Sequence, residues 1–147
     1  MTNELSEIAQ EMGESFNELK PRLMVVLRRE SEKLAHQVKA LMPVYSGRSK
    51  ASWGKYTPED LSASPPEGTN LAAWQKRKSQ SNPDDAVWEE NEDALSITQG
   101  SNVPEVEALN AGWSQQAPGG FIETVMDSGM EDIETALVDE IMKALEG

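Results

Sequence analysis

Carboxylates are the chemically capable groups in greatest supply in this sequence, with 26 acidic side chains against 13 basic ones in 147 residues. Two groups stand out: Asp84-Asp85, and the run Glu89, Glu90, Asn91, Glu92, Asp93. Paired carboxylates can share acid and base roles or hold a hard cation such as calcium. The spacing here matches no calcium loop, and adjacent acids without such a frame repel one another. The run therefore reads as a solvated loop surface. The single histidine, His36, lies between Ala35 and Gln37 with no second imidazole, no HExxH pair and no serine–acid pattern around it. It is expected at the surface or partly buried, not in catalysis. With no cysteine, neither a thiolate zinc site nor a disulfide can be drawn. The glycines form neither GxGxxG nor a P-loop with its lysine. No enzyme, metal or cofactor is expected, and a hydrolase working through two carboxylates finds no supporting spacing.

The formal net charge of −13 repels phosphate backbones, so ordinary nucleic-acid binding is not expected. Solubility is the plain use of such acidity. A rival use is mimicry of nucleic acid to block a DNA-binding protein, which needs charge patterned along one face. Instead, Arg28, Arg29 and Lys33 interleave with Glu11, Glu14 and Glu32 in the first helical segment. The one basic cluster, "QKRK" at Gln75 to Lys78, is expected to meet acids of this chain or of a partner.

Four tryptophans, Trp53, Trp74, Trp88 and Trp113, stand against two phenylalanines and two tyrosines. Tryptophan anchors interfaces because a large ring fills a pocket while its N–H keeps a partner. It can equally plug a small core beneath its own loop. Trp53 reads as such a plug; Trp74 and Trp88 suit either role.

The elements that must position these groups follow from periodicity. Leu5, Ile8, Met12, Phe16, Leu19, Leu23 and Val26 step by three or four residues, and Leu34, Val38 and Leu41 resume the stripe. Two helical pieces are expected, Thr2 to Lys20 and Pro21 to Met42, divided by a kink or a short break at Pro21 and ended by Pro43. Ser49 to Tyr56 alternates weakly and predicts a strand. From Pro58 to Asp93 the composition becomes loop-like, with a short helix around Trp74. "ALSITQG" predicts a strand, and "VPEVEALNAG" a short helix with Pro104 near its start and Gly112 past its end. Ile122, Val125, Met126, Met130, Ile133, Leu137, Ile141 and Leu145 share a face of a final helix, with Gly129 as a weak point. "MTNELSEIAQ" is not a signal peptide by composition, and no apolar run is long enough to span a membrane. One α+β domain over residues 1–147 is expected, with long N- and C-terminal amphipathic helices on a small antiparallel sheet and a variable insertion at about 58–93. Two strands alone are marginal, so either the insertion or a neighbouring subunit should complete the sheet.

Between the last two helices lies "LNAGWSQQAPGGFIE", Leu109 to Glu123. Gly112 can end a helix, Ala117 before proline is pushed to extended backbone, and Pro118, Gly119 and Gly120 make a corner. This stretch reads as an elbow with polar groups on its outside.

These residues also carry a resemblance. "PVYSGRSKASW" and, much later, "NVPEVEALNAGWSQQAPGGFIE" resemble the tail-completion, or head–tail joining, family of long-tailed bacteriophages. That family shows P-V-D-T-G-R…S-W after a long helix. It continues with a strand, N-x-x-Y-x-x-x-L-x-x-G-x-S-x-Q-A-P-x-G-F/M and a C-terminal helix. The matches are Pro43, Val44, Gly47, Arg48, Ser52 and Trp53 in the first block. In the second they are Asn102, Pro104, Leu109, Gly112, Trp113, Ser114, Gln116, Ala117, Pro118, Gly120 and Phe121. Tyr45 and Ser46 depart from Asp-Thr, and Glu105 stands where an aromatic residue is common. Residues 58–93 match nothing in that pattern.

The resemblance implies a non-enzymatic virion protein of the neck, present in the host cytoplasm during assembly. It would form a homo-oligomeric ring, expected as a hexamer, between the head connector or stopper and the tail-tube proteins. Genomic DNA would pass its lumen without specific binding, and no membrane is involved. A tail-terminator ring that caps tube polymerisation is the near variant. Contact candidates are Arg48, Trp53, Trp74, Trp88, Trp113, Gln116, Pro118 and Phe121, with Arg48 expected to pair with an acid of the final helix or of a neighbouring subunit.

Overall fold

The computed structural model describes residues 2–42, 47–61, 64, 65, 67–112 and 119–146, with side chains from residue 15 onward. Helix α1 (Thr2–Ala40) buries Leu23, Met24, Val26, Leu27, Leu34, Ala35 and Val38. Steps of three and four residues put these side chains on one side of a helix with 3.6 residues per turn. Of the kink or short break expected at Pro21, the break is not present, because α1 continues through it as one element. Proline removes the bond to the carbonyl of Asn17, four residues back. Both residues lie on the exposed side, where water can take that carbonyl, and Leu23 to Leu27 hold the next turn by burial. Pro43, expected as the terminator, lies outside the described residues.

Helix α5 (Phe121–Glu146) runs antiparallel to α1, their registers tied where Arg22 meets Glu140 at 2.8 Å and Leu34 meets Gly129. It buries Phe121, Val125, Gly129 and Ile133. That four-residue step draws one narrow line toward α1, and the two helices make the largest contact in the fold.

The segment from Ser49 to Tyr56 is not a strand. It forms a one-turn helix, α2 (Arg48–Ala51), and then a turn. Ser52, on the supposed outward face, is as buried as Ala51 and Trp53, so the alternation never separated two faces. Gly47 starts the turn at φ +80°, and a Cβ there would lie 2.0 Å from the Asp60 carbonyl oxygen, so no other residue fits.

The missing strand comes from the insertion. β1 (Ala86–Asn91) pairs antiparallel with β2 (Ser96–Ser101), with Trp88 opposite Gln99 and Glu90 opposite Ile97. The Asn82-Pro83 turn before β1 and the acids after it hid a short β-favouring core, Ala86-Val87-Trp88. Residues 58–93 are therefore only partly irregular, since they also carry a 3₁₀ turn at Pro58–Asp60 and helix α3 (Leu71–Ser79) around Trp74, as expected. Helix α4 (Pro104–Asn110) follows β2 and ends before Gly112 at φ +90°. The fold is mixed α+β and mostly helical, with two long helices and a two-stranded antiparallel sheet.

Candidate interaction surfaces

Trp53 is buried inside the chain. Its Nε1–H donates to Gln99 Oε1 at 2.8 Å, and Gln99 Nε2 donates to the Ser31 carbonyl at 2.9 Å. One ring thus joins the turn after α2, strand β2 and helix α1, which is the plugging role read from the sequence. Phe121 is 1% exposed and belongs to the same core. Its ring is not a contact surface; it fixes the start of α5.

Arg48 finds its acids within the chain, though not on α5. Its guanidinium lies 3.6 Å from Glu105 of α4 and 4.0 Å from Asp85, just before β1. Glu105 is the position where the resemblance departs from an aromatic residue, and here it supplies a charge for the arginine. Beside this pair, Ser52 Oγ lies 2.8 Å from Ser101 Oγ, and the Gly54 amide donates to the Gly100 carbonyl at 2.9 Å. Trp53 of the first block also shares a buried cluster with Val103, Val106 and Phe121 of the second, so the two sequence blocks fold against each other.

Trp74 is 5% exposed on the inner side of α3, with the Lys78 ammonium 4.9 Å from its ring centre. Trp88 is half-buried in β1. Its ring, with His36, Lys39, Trp53 and Lys55, lines a pocket of about 120 Å³. Lys55 sits 4.8 Å from the Trp88 ring centre and also pairs with Glu32. Below it, the buried Lys39 ammonium donates to the Lys55 carbonyl, to Thr57 Oγ1 and to Asp60 Oδ2, three acceptors for its three protons. Burial alone would raise the Asp60 carboxyl, but hydrogen bonds from Thr57 and Lys39 outweigh it and hold it below its ordinary value. Glu90 is gripped by Arg28 through contacts of 2.7 and 3.0 Å and by Trp88 Nε1–H at 2.8 Å. The Arg28 hydrogen bond, followed by that from Trp88, lowers its pKa to about 2.

At the elbow, Trp113, Gln116 and Pro118 lie outside the described residues. Its two ends are described, and Asn110 clamps them. The Asn110 carbonyl accepts from the Gly120 amide at 2.6 Å, its Oδ1 accepts from the Ile122 amide at 2.9 Å, and its Nδ2 donates to Glu123 at 2.9 Å. Asn110 thereby caps α5 from another helix. Sequence reading passed over it, because a cap eleven residues before its helix leaves no local signature. Gly120 takes φ +70° at the corner.

Reading for tryptophans also missed the exposed aliphatic side chains. Val138, Met142 and Leu145 of α5 are 56%, 51% and 74% exposed. The sequence put Leu145 on the core face, but the core face of α5 turns away before its last turns. No described helix is long and apolar enough to cross a membrane, and no group of three or more His, Cys, Asp or Glu among the described residues is placed to hold a metal ion. Comparison with protein-family models, curated proteins and solved structures gives no match.

Proposed function

We propose that this chain is a structural virion protein of a bacteriophage neck, forming a ring that completes the tail and joins it to the head connector. The observation that carries the reading is the meeting of the two motif blocks. Arg48 reaches Glu105 inside the second block, and Trp53 shares a buried cluster with Val103, Val106 and Phe121. Among the described residues that carry the resemblance, Trp53 and Phe121 share one buried cluster with Leu109 packed against it, and Asn110 and Gly120 stand at the base of the elbow.

Two further features support it. Exposed apolar side chains on the long helices, among them Phe16, Val25, Val138 and Leu145, suit a protomer whose burial is completed by copies of itself. The tip of the β1–β2 hairpin exposes Glu92 and Asp93, and Glu89 is exposed further along β1. Such a tip suits a channel wall past which DNA moves without adhering. The protein acts by shape, and its partners are its own copies, the head connector or stopper and the tail tube.

Immunogold labelling of purified virions tests the location. Label confined to the head–tail junction is expected; virions that carry none of the protein overturn the reading.

A further inference from the structure

The pocket of about 120 Å³ between α1, the turn after α2 and β1 has no part in the neck reading. It is close in size to an apolar cavity of about 150 Å³, which admits benzene. The polar groups in its walls are spent on the chain itself. Trp53 Nε1–H goes to Gln99 and Trp88 Nε1–H to Glu90. The Lys39 ammonium has its three acceptors, and Thr57 Oγ1 accepts from Lys39 and donates to Asp60. What remains inside for a guest is apolar: two indole rings and the Ala35 methyl group. The more exposed lining residues, Glu32, His36 and Lys55, mark the mouth. Lys39 is matched by Asp60 and Glu90 by Arg28, so these three residues set the charge there. His36 makes no hydrogen bond among the described residues, and Lys55 spends one of its three protons on Glu32.

We infer that this pocket binds a small carboxylate whose other end is an aromatic ring or a branched aliphatic group. The apolar end lies between Trp53 and Trp88, and the carboxylate accepts protons from Lys55 and His36 at the mouth. A cationic head is excluded by what it would have to displace. It would take Glu32 from Lys55 and push the Lys55 ammonium off the Trp88 ring, whose centre is 4.8 Å away. An anionic head leaves Lys55 over that ring and asks only that Glu32 turn to water. The Lys55 and Glu32 side chains are 48% and 45% exposed, and so open an ion pair is weak. A neutral head gains less than an anion, because hydrogen bonds to an ammonium are strongest from a charged acceptor. The pocket is independent of the neck reading, and its failure would leave that reading untouched.

Benzoate, benzyl alcohol and benzylamine share a ring and differ in the head, so they serve as probes. Each is titrated into the full chain labelled with nitrogen-15, and the indole N–H signals of the tryptophans are followed. Benzoate is expected to move the Trp53 and Trp88 signals with a dissociation constant on the order of 1 mM, within reach of so small a ligand. Benzyl alcohol should bind about fivefold more weakly, and benzylamine more weakly still. Lys55→Met keeps the walls and removes the charge, so it should bring benzoate down to the level of benzyl alcohol and leave benzyl alcohol unchanged. Ala35→Met fills the pocket and should abolish both. Shifts absent at ten times the expected constant overturn the site. So does benzoate that binds Ala35→Met as tightly as the parent, because it is then held elsewhere. Benzylamine binding as well as benzoate, or a benzoate preference that survives Lys55→Met, overturns the assignment of a carboxylate to this mouth.

Discussion

Gly129 of α5 faces Leu34 of α1 so closely that a Cβ at Gly129 would lie 1.9 Å from Leu34 Cδ2 and 2.9 Å from its Cγ. The two helices approach through the space a side chain would fill, and Leu34 is 5% exposed with little room to turn away.

Gly129→Ala is accordingly expected to destabilise the fold. Alanine favours a helix by about 1 kcal/mol over glycine, but overpacking a close-packed core costs about 1–3 kcal/mol. The net expected loss is about 1 kcal/mol, read from urea unfolding. In the Leu34→Ala background the same change should turn neutral or stabilising, because the new methyl enters the space vacated by leucine. Equal effects in both backgrounds would show that the two residues do not share that space.

The clamp at Asn110 gives a second expectation. Asn110→Ala removes the side-chain acceptor for the Ile122 amide and the donor to Glu123. Loss of a helix cap costs about 1 kcal/mol, up to about 2. Hydrogen exchange should quicken at the first turn of α5 before it quickens at Ile133. Unchanged protection at Ile122 would show that the clamp contributes nothing.

Lys39 and Asp60 tie α1 to the 3₁₀ turn, and the order of their effects is diagnostic. Asp60→Ala leaves the 5%-exposed Lys39 ammonium without its charge partner; removing one member of a buried pair costs about 3–5 kcal/mol. Partial exposure of Asp60 reduces this to about 2 kcal/mol. Lys39→Met replaces the buried charge with an apolar chain of similar length and should cost less. Equal losses in thermal unfolding would contradict the burial argument.

Stability should also fall in acid through Glu90. Its folded pKa is about 2, below an ordinary value of about 4.3 for a free glutamate. A depressed pKa contributes stability in full above the unfolded value, and that contribution fades as pH falls from about 4.5 toward 2. Glu90→Gln should start less stable at neutral pH and show a shallower fall over that window. The size is modest, because the pair lies near the surface. A parallel fall in both proteins would assign the acid sensitivity to other carboxylates.

How much of this was legible in the residues follows from the range over which each signal acts. The long helices were readable because their stripes repeat over many turns, and α4 because Pro104 and Gly112 punctuate it. The break at Pro21 was misjudged because its cost depends on whether the freed carbonyl faces water, which only the tertiary placement of Asn17 decides. β1 was missed because three apolar residues between a turn and an acidic run are too short to outweigh their flanks. Of the contact candidates, Trp53 and Phe121 both proved to be core, Trp53 in the plugging role that its ring also suggested. The partners of Arg48 could not be chosen from a sequence with acids on every side. The Asn110 clamp and the exposed aliphatic side chains of α5 depend on which face meets α1, and no local pattern encodes that.

A protein that joins head to tail by shape, as proposed, is needed at one step of assembly. Deletion of its coding region from the phage genome, followed by electron microscopy of the lysate, tests this most directly. Filled heads and complete tails that fail to join are predicted, with joining restored by the purified protein. Tails of abnormal length would move the protein to the terminator position at the end of the tube. Joined, infectious particles of normal form in its absence would contradict the claim.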